Sequence, residues 1–171
     1  MSTLWRQIKD KFSRQRERVN VVRKMVQIGI RVGSDARLYV NDVEISDTSL
    51  AAAVGVDRRV VRNTVKQILS DAELRPILTA VKPAGASLAD VASPLGYQVL
   101  VVQADPHRPG VISSVTSILA EYGVVVRQAL ADDPDLVPEP RLTLVVQGVV
   151  PAEAIGRIQS LPTVKSLTMK K

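Results

Sequence analysis

The sequence predicts an α+β chain in two parts: a helical N-terminal part over 1–82 and a β-α-β-β-α-β part over 97–171, joined by a linker at 83–96. Three observations carry this. Apolar residues recur every three or four positions through most of the first part, which is the helical period. Beyond residue 96 the texture changes to short β-branched runs alternating with two helical stretches. Between the two, "KPAGASLADVASPLGY" (82–97) gathers Pro83, Gly85, Pro94 and Gly96, residues that punctuate regular structure.

In the first part, Trp5, Ile8, Phe12, Val19, Val22, Val26 and Ile30 form one stripe, predicting a long helix from Leu4 to about Val32 with Gln15 at a gap. Arg6, Lys9, Lys11, Arg14, Arg16, Arg18, Arg23 and Lys24 lie on its other face, and Gly29 and Gly33 end it. "RLYVNDVEIS" (37–46) reads as a hairpin turning at Asn41-Asp42. Ser46 or Asp47 caps a short helix over Leu50 to Val54, and Gly55 breaks it. Asp57 then caps a second helix through Val60, Val61, Val65, Ile68 and Leu69, and 72–81 continues as a further helix disturbed near Pro76.

In the second part "YQVLVVQ" (97–103) is a buried strand and "GVISSVTSILAEYG" (110–123) a helix. "VVVRQALA" (124–131) and "RLTLVVQGV" (141–149) are strands, and "PAEAIGRIQSLP" (151–162) is a helix opened by Pro151, where proline is tolerated. "TVKSLTM" (163–169) closes the order, which is that of the ferredoxin-like arrangement.

Composition narrows the chemistry. The 171 residues include no cysteine and one histidine, which removes disulfides, thiolate zinc sites and histidine-rich metal centres. No metal and no cofactor is expected. No run reaches the length of apolar residues a membrane helix needs, and no secretory signal opens the chain, so a cytoplasmic setting is expected. Residues 1–82 hold 16 Lys and Arg against 9 Asp and Glu, a net charge of +7; residues 83–171 hold 7 against 8, a net of −1. The first part is the candidate polyanion binder.

The two capped helices around Gly55 have helix-turn-helix spacing: a three-residue turn, a glycine within it, and small Ala51 before it. They resemble the DNA-reading pair of bacterial and archaeal repressors. The second helix points Arg58, Arg59, Arg62, Asn63 and Lys66 outward, residue types that grip phosphates and base edges. With one Phe, one Trp and three Tyr there is no cluster for stacking RNA bases, so double-stranded DNA is the expected partner.

"ADPHRPGVISSV" (104–115) holds the only histidine. Asp105 and His107 supply at most two metal ligands, and no nucleophile accompanies them, so neither a metal centre nor a catalytic site is expected. A turn through prolines and Gly110 into a helix start suits an anionic ligand such as an amino-acid carboxylate, or is simply a rigid connection.

Arg108-Pro109-Gly110-Val111 between a strand and a helix ending in "LAEYGV" resembles the signature of an ACT domain over about residues 97–171. The resemblance implies domains that pair through their sheets and bind amino acids or similar small effectors between subunits. It puts Asp105, His107, Arg108, Gly110, Val111 and Val124 at the effector. The chain departs from the family twice: His107 stands where Asp or Asn is usual, and Val125 where an Asn helps hold ligand. With "VGVDRRVV" and later "RQALADDP", the whole chain is similar to an archaeal family described as predicted regulators of amino acid metabolism. The acidic, proline-rich connection at 132–140 is given no role in the site.

Together these readings lead to a non-enzymatic, homodimeric, amino-acid-responsive DNA-binding transcriptional regulator. The alternative is a regulatory subunit that docks on a biosynthetic enzyme and imposes feedback control without binding DNA.

Overall fold

The computed structural model describes residues 5, 8, 10–13 and 15–170, which divide into two compact units, 1–85 and 86–171. Among the described residues of the first unit, Trp5, Ile8, Asp10 and Lys11 are helical, and α1 (Arg16–Ile28), α2 (Asp47–Val54), α3 (Arg58–Ser70) and α4 (Leu74–Leu78) follow. The unit also has a small antiparallel sheet of β1 (Arg31–Val32), β2 (Leu38–Val40) and β3 (Val43–Ile45) in that order.

The expected single helix from Leu4 to Val32 is corrected in two places, broken in its interior at 12–15 and stopped at Ile28. Phe12 and Ser13 turn, Gln15 is non-helical, and α1 starts at Arg16, so the polar gap is a break. Gly29 stops α1 in the left-handed conformation at φ 82°, and Arg31–Val32 pairs with β2. A side chain there is excluded: a Cβ on Gly29 would lie 2.3 Å from the Pro83 backbone nitrogen. Trp5, Ile8, Phe12, Val22 and Ile30 of the expected stripe are buried; Val21 and Met25 are buried with them, while Val19 and Val26 are half-buried. Leu4, Arg6, Lys9 and Arg14 lie outside the described residues.

The hairpin turns at Asn41 (φ 54°), and Leu38, Tyr39 and Val40 pair with Ile45, Glu44 and Val43. The expected caps are present. The Ser46 hydroxyl accepts the Ser49 N–H at 3.0 Å, and the Asp57 carboxylate accepts the Arg59 N–H at 2.7 Å. Each satisfies an amide that a helix start leaves without a partner. Between α2 and α3 lie only Gly55, Val56 and Asp57, with Gly55 left-handed at φ 75°. The first turn of α1 and the segment before it are fastened to α3 and the residue that caps its end by polar contacts. Arg18 Nη1 donates to Gln67 Oε1 at 2.5 Å, Gln67 Nε2 donates to the Lys11 carbonyl at 3.2 Å, and Lys11 Nζ meets Asp71 Oδ2 at 2.6 Å.

The second unit is a four-stranded antiparallel sheet of β4 (Tyr97–Ala104), β5 (Val125–Ala131), β6 (Arg141–Gln147) and β7 (Val164–Lys170), ordered β5-β6-β4-β7. With α5 (Val111–Glu121) and α6 (Ala152–Gln159) the element order is β-α-β-β-α-β, as expected. Alternation along the strands gives the sheet two faces. On one, Leu100, Val102, Leu142, Leu144 and Val146 pack with Val115, Ile118 and Leu119 of α5 and Ala154 and Ile158 of α6.

The opposite face corrects the linker reading. Ala92 is buried against Val99 and Val145, with Leu88 and Ala89 beside it. Gln128 ties this stretch down, accepting the Leu88 N–H and donating to the Ala86 carbonyl, both at 2.8 Å. Residues 86–96 are thus a packed layer of the second unit rather than a spacer. Among the described residues no helix is long and apolar enough to cross a membrane.

Candidate functional site

Each unit presents a candidate site. In the first it is the outer face of α3. Val61, Thr64, Val65 and Ile68 are buried, and the Thr64 hydroxyl donates back to the Val60 carbonyl at 2.7 Å, so the inner face is fully committed to packing. Arg58, Arg59, Arg62, Asn63 and Lys66 all emerge exposed on the other side. Their spacing of one, four, five and eight places them on one helical face.

Only one of these five side chains is held by a protein partner among the described residues. Arg62 Nε meets Asp47 Oδ2 at 2.8 Å, linking the start of α2 to α3. The Asp57 cap engages the Arg59 backbone, not its guanidinium. Arg58 and Arg59 stand in the first turn of α3, which holds no acidic residue of its own, beside the Asp57 carboxylate that caps it. Beside Asn63, Gln15, Arg16, Glu17 and Arg18 line a shallow depression with Val60.

In the second unit a cavity of about 620 Å³ opens where β4 and β5 end and β6 begins. It is lined by Asp105 and Arg108 of the β4–α5 turn, by Gly110, Val111 and Ile112 at the start of α5, and by Asp132, Pro134, Pro140 and Arg141 around the β5–β6 connection. The turn is built locally. Asp105 Oδ1 accepts the His107 N–H at 3.1 Å, and the Arg108 N–H reaches the Asp105 carbonyl at 3.2 Å. Gly110 takes φ 90° to start α5, which has no side-chain cap, so its first amides stay open.

Four of the six expected effector residues, Asp105, Arg108, Gly110 and Val111, line this cavity. The other two do not. His107 is exposed outside the lining, and Val124 is half-buried among residues of the α5–α6 side of the sheet, its N–H donating to the Leu119 carbonyl at 2.9 Å. Val125 points outward and is 53% exposed.

Sequence reasoning missed the far wall. Ala131 pairs with Leu142 on β6, which folds the 132–140 connection over the mouth; Asp132 and Arg141 exchange backbone and side-chain hydrogen bonds there, the Arg141 N–H reaching Asp132 Oδ2 at 3.1 Å. The available signal was the charge pair Asp132/Arg141 flanking a loop of three prolines. Among the described residues no group of three or more His, Asp or Glu could hold a metal ion.

No protein-family model matches the sequence, and no curated protein matches it. Among solved structures, the chain aligns with a homoserine dehydrogenase from Thiobacillus denitrificans at 18% identity and a TM-score of 0.35, over 72% of this chain and 28% of that one. The chain therefore spans well under two thirds of that enzyme's length. It aligns with a transcriptional regulatory protein of the AsnC family from Pyrococcus furiosus at 10% identity and a TM-score of 0.28, over 99% of this chain and 88% of that one. An AsnC family transcriptional regulator from Agrobacterium tumefaciens aligns at 13% identity and a TM-score of 0.29, over 91% and 88% of the two chains. Likenesses this remote carry no argument for function, which rests on the chain's own residues.

Proposed function

We propose that the chain is a homodimeric, DNA-binding transcriptional regulator whose second unit, an ACT-type domain, senses an amino acid. The observation that carries the DNA reading is the outer face of α3: Arg58, Arg59 and Lys66 are exposed and unpaired among the described residues, on a helix whose inner face is packed. Cations without protein partners are free to displace counterions from phosphate, which gives salt-dependent affinity. Asn63 and Arg62 on the same face have the donor and acceptor geometry for adenine and guanine edges. Two copies related by a dyad would offer two such helices to two half-sites.

For the effector, Asp105, Arg108, Gly110 and Val111 stand together at a cavity of ligand size. A ligand that favours one arrangement of the dimer over another by about 1–3 kcal/mol changes DNA affinity by a useful factor. A gel-shift titration of the full chain at several salt concentrations tests the reading. Discrete complexes whose affinity falls steeply with salt are expected. No DNA binding at low salt, with co-purification of a biosynthetic enzyme, would favour the feedback subunit instead.

A further inference from the structure

Most acids of the first unit are spent inside it. Asp47 holds Arg62, Asp71 and Glu73 hold Lys11, and Glu44 holds Arg37. Asp35 accepts the Tyr39 hydroxyl, and Asp57 caps α3. Cations are left over. Besides those of α3, Arg16, Arg23 and Lys24 of α1 have no side-chain partner among the described residues.

These three share one face of α1 with Asn20 and Gln27. The steps from 16 through 20, 23 and 24 to 27 are four, three, one and three, the helical repeat. Val21, Val22 and Met25 are buried on the other side. Two shallow depressions set the polar face beside the two capped helices. At the start of α1, Arg16 lines one with Val60 and Asn63, so this face continues the outer face of α3. Further along, Asn20, Arg23, Lys24 and Gln27 line the other with Ala53 and Val54, at the end of α2 and directly before the Gly55 turn. From Arg16 to Lys24 the helix rises about 12 Å, a length over which one strand of a duplex carries about three to four phosphates.

Arg23 is the least satisfied group of this surface. Its Nε is buried and has no hydrogen-bond acceptor among the described residues. A buried donor without an acceptor is costly, and a phosphate offers a guanidinium acceptor oxygens of opposite charge. The negative end of α2 draws Arg23 and Lys24 toward it but accepts nothing from Arg23 Nε. Glu17 borders the start of the face and offsets Arg16, which leaves Arg23 and Lys24 as the effective charge.

The make-up of the face selects its partner. It exposes no large apolar side chain to enter a lipid surface, and no aromatic ring on which an unpaired base could stack. Cations alternating with amides suit the backbone of a duplex.

We infer that the polar face of α1 is a second DNA surface, on which Arg23 and Lys24 bind phosphates and Asn20 and Gln27 hydrogen-bond them, beside the stretch of duplex that α3 meets. The inference rests on the DNA reading of α3 and adds a contact that the reading does not require.

Fluorescence anisotropy of the full chain with a labelled duplex of about 30 base pairs, three helical turns, tests it. Arg23→Gln with Lys24→Gln should lower the slope of log affinity against log salt by about 1.8, or about 0.9 per cation. Between 50 and 200 mM salt the unsubstituted chain should then lose about 12-fold more affinity, per copy of α1, than the variant does. Arg23→Lys, which keeps the charge, should keep the slope. Asn20→Asp, at an exposed position, should weaken binding about fivefold by setting a carboxylate against the backbone. Arg75→Gln removes an exposed cation of α4 that lines neither depression and should leave the slope in place. Fluorescence of the buried Trp5 shows that each variant is folded. An unchanged slope in the α1 double variant, an equal fall on Arg75→Gln, unaltered affinity in Asn20→Asp, or tighter binding to poly-L-glutamate than to the duplex would each overturn the inference. The α3 substitutions separate the two proposals. A slope that falls on Arg58→Gln, Arg59→Gln and Lys66→Gln but not on the α1 pair removes α1 and leaves the DNA reading of α3. A fall on the α1 pair alone keeps α1 and removes α3, and no duplex binding by the unsubstituted chain at low salt removes both.

Discussion

Replacing Arg58, Arg59 and Lys66 by Gln together isolates the electrostatics of α3 from its fold. All three are exposed and unpaired among the described residues, and the packed side of the helix, Val61, Thr64, Val65 and Ile68, is untouched. Stability should move by less than about 0.5 kcal/mol, as for surface changes that break no cap or network. It should move upward, because two of the removed charges sit at the positive end of the helix. DNA binding should respond very differently. If each cation neutralises one phosphate, the slope of log affinity against log salt falls by about 0.9 per cation, or about 2.7 for three. Between 50 and 200 mM salt the unsubstituted chain should then lose about 40-fold more affinity, per copy of α3, than the variant does. Fluorescence anisotropy of labelled duplex at four salt concentrations reads this directly. An unchanged slope in a variant that still binds DNA would refute the assignment of α3 to the phosphate backbone.

Other outcomes rest on the first unit's packing, where the single tryptophan, Trp5, is buried and reports unfolding by fluorescence. Gly29→Ala combines a left-handed φ with a Cβ driven against the Pro83 backbone; it should cost about 2–5 kcal/mol in the Trp5 transition under urea, strain and overpacking together. Gly110→Ala at φ 90° meets nothing nearer than 3.8 Å; it should cost only about 1–2 kcal/mol, seen by circular dichroism of the second unit and not by Trp5. Lys11, hydrogen-bonded to Asp71, holds the Asp71 carboxyl below the ordinary aspartate range, and Asp71 in turn holds the Lys11 ammonium above the ordinary lysine range. Asp71's contribution is then complete above about pH 4 and is lost as pH falls through its lowered value, and Lys11's is lost only as pH rises beyond about 10.4. Asp71→Asn should flatten the acid limb of the Trp5 stability profile, and an unchanged limb would deny the pair its role. Pro138→Gly should loosen the 132–140 connection without touching the cavity lining. Amino-acid binding should weaken about twofold to fivefold, from 0.4–1 kcal/mol of added freedom in the open loop, and unaltered affinity would mean the loop is ordered regardless of ligand.

Elements governed by neighbours in sequence were legible. The hairpin followed from Asn41-Asp42, and α2 and α3 from Ser46, Gly55 and Asp57, because a cap or a turn is decided within four residues. The β-α-β-β-α-β order followed from period alone. Elements settled by distant contacts were not. Nothing near Gly29 announces that the Pro83 backbone lies against it, and a valine-rich stripe hid both the break at Gln15 and the pairing of Arg31–Val32 with β2. The 86–96 stretch reads as linker by its prolines and glycines, although the spacing of Leu88, Ala89 and Ala92 carried the signal of a packed face. The far wall of the cavity depends on β5 pairing with β6, which brings Asp132 and Arg141 together across nine positions. In the turn itself the lone histidine drew attention by its rarity, whereas its neighbours Asp105 and Arg108 are the ones that face the cavity.

How each cation is held sorts the charges better than their number does. Lys11 sits 2.6 Å from Asp71 and 2.9 Å from Glu73, and Arg157 is bonded to Glu121; Arg18 is spent on Gln67. These groups already have their partners and hold elements together. Arg108 Nε lies 3.9 Å from Asp105 Oδ2 and Arg141 Nη2 donates to Glu139 Oε2 at 3.4 Å, whereas Arg58, Arg59 and Lys66 have no partner among the described residues. A phosphate gains most from the last set, since nothing need be broken to engage it. Arg62 falls between. To reach DNA it must give up Asp47, an exposed pair worth about 0.2–1 kcal/mol, and the Asp47 carboxylate left behind then repels the phosphate it approaches. The helix face thus carries four arginines and lysines, but its affinity for a polyanion rests chiefly on three.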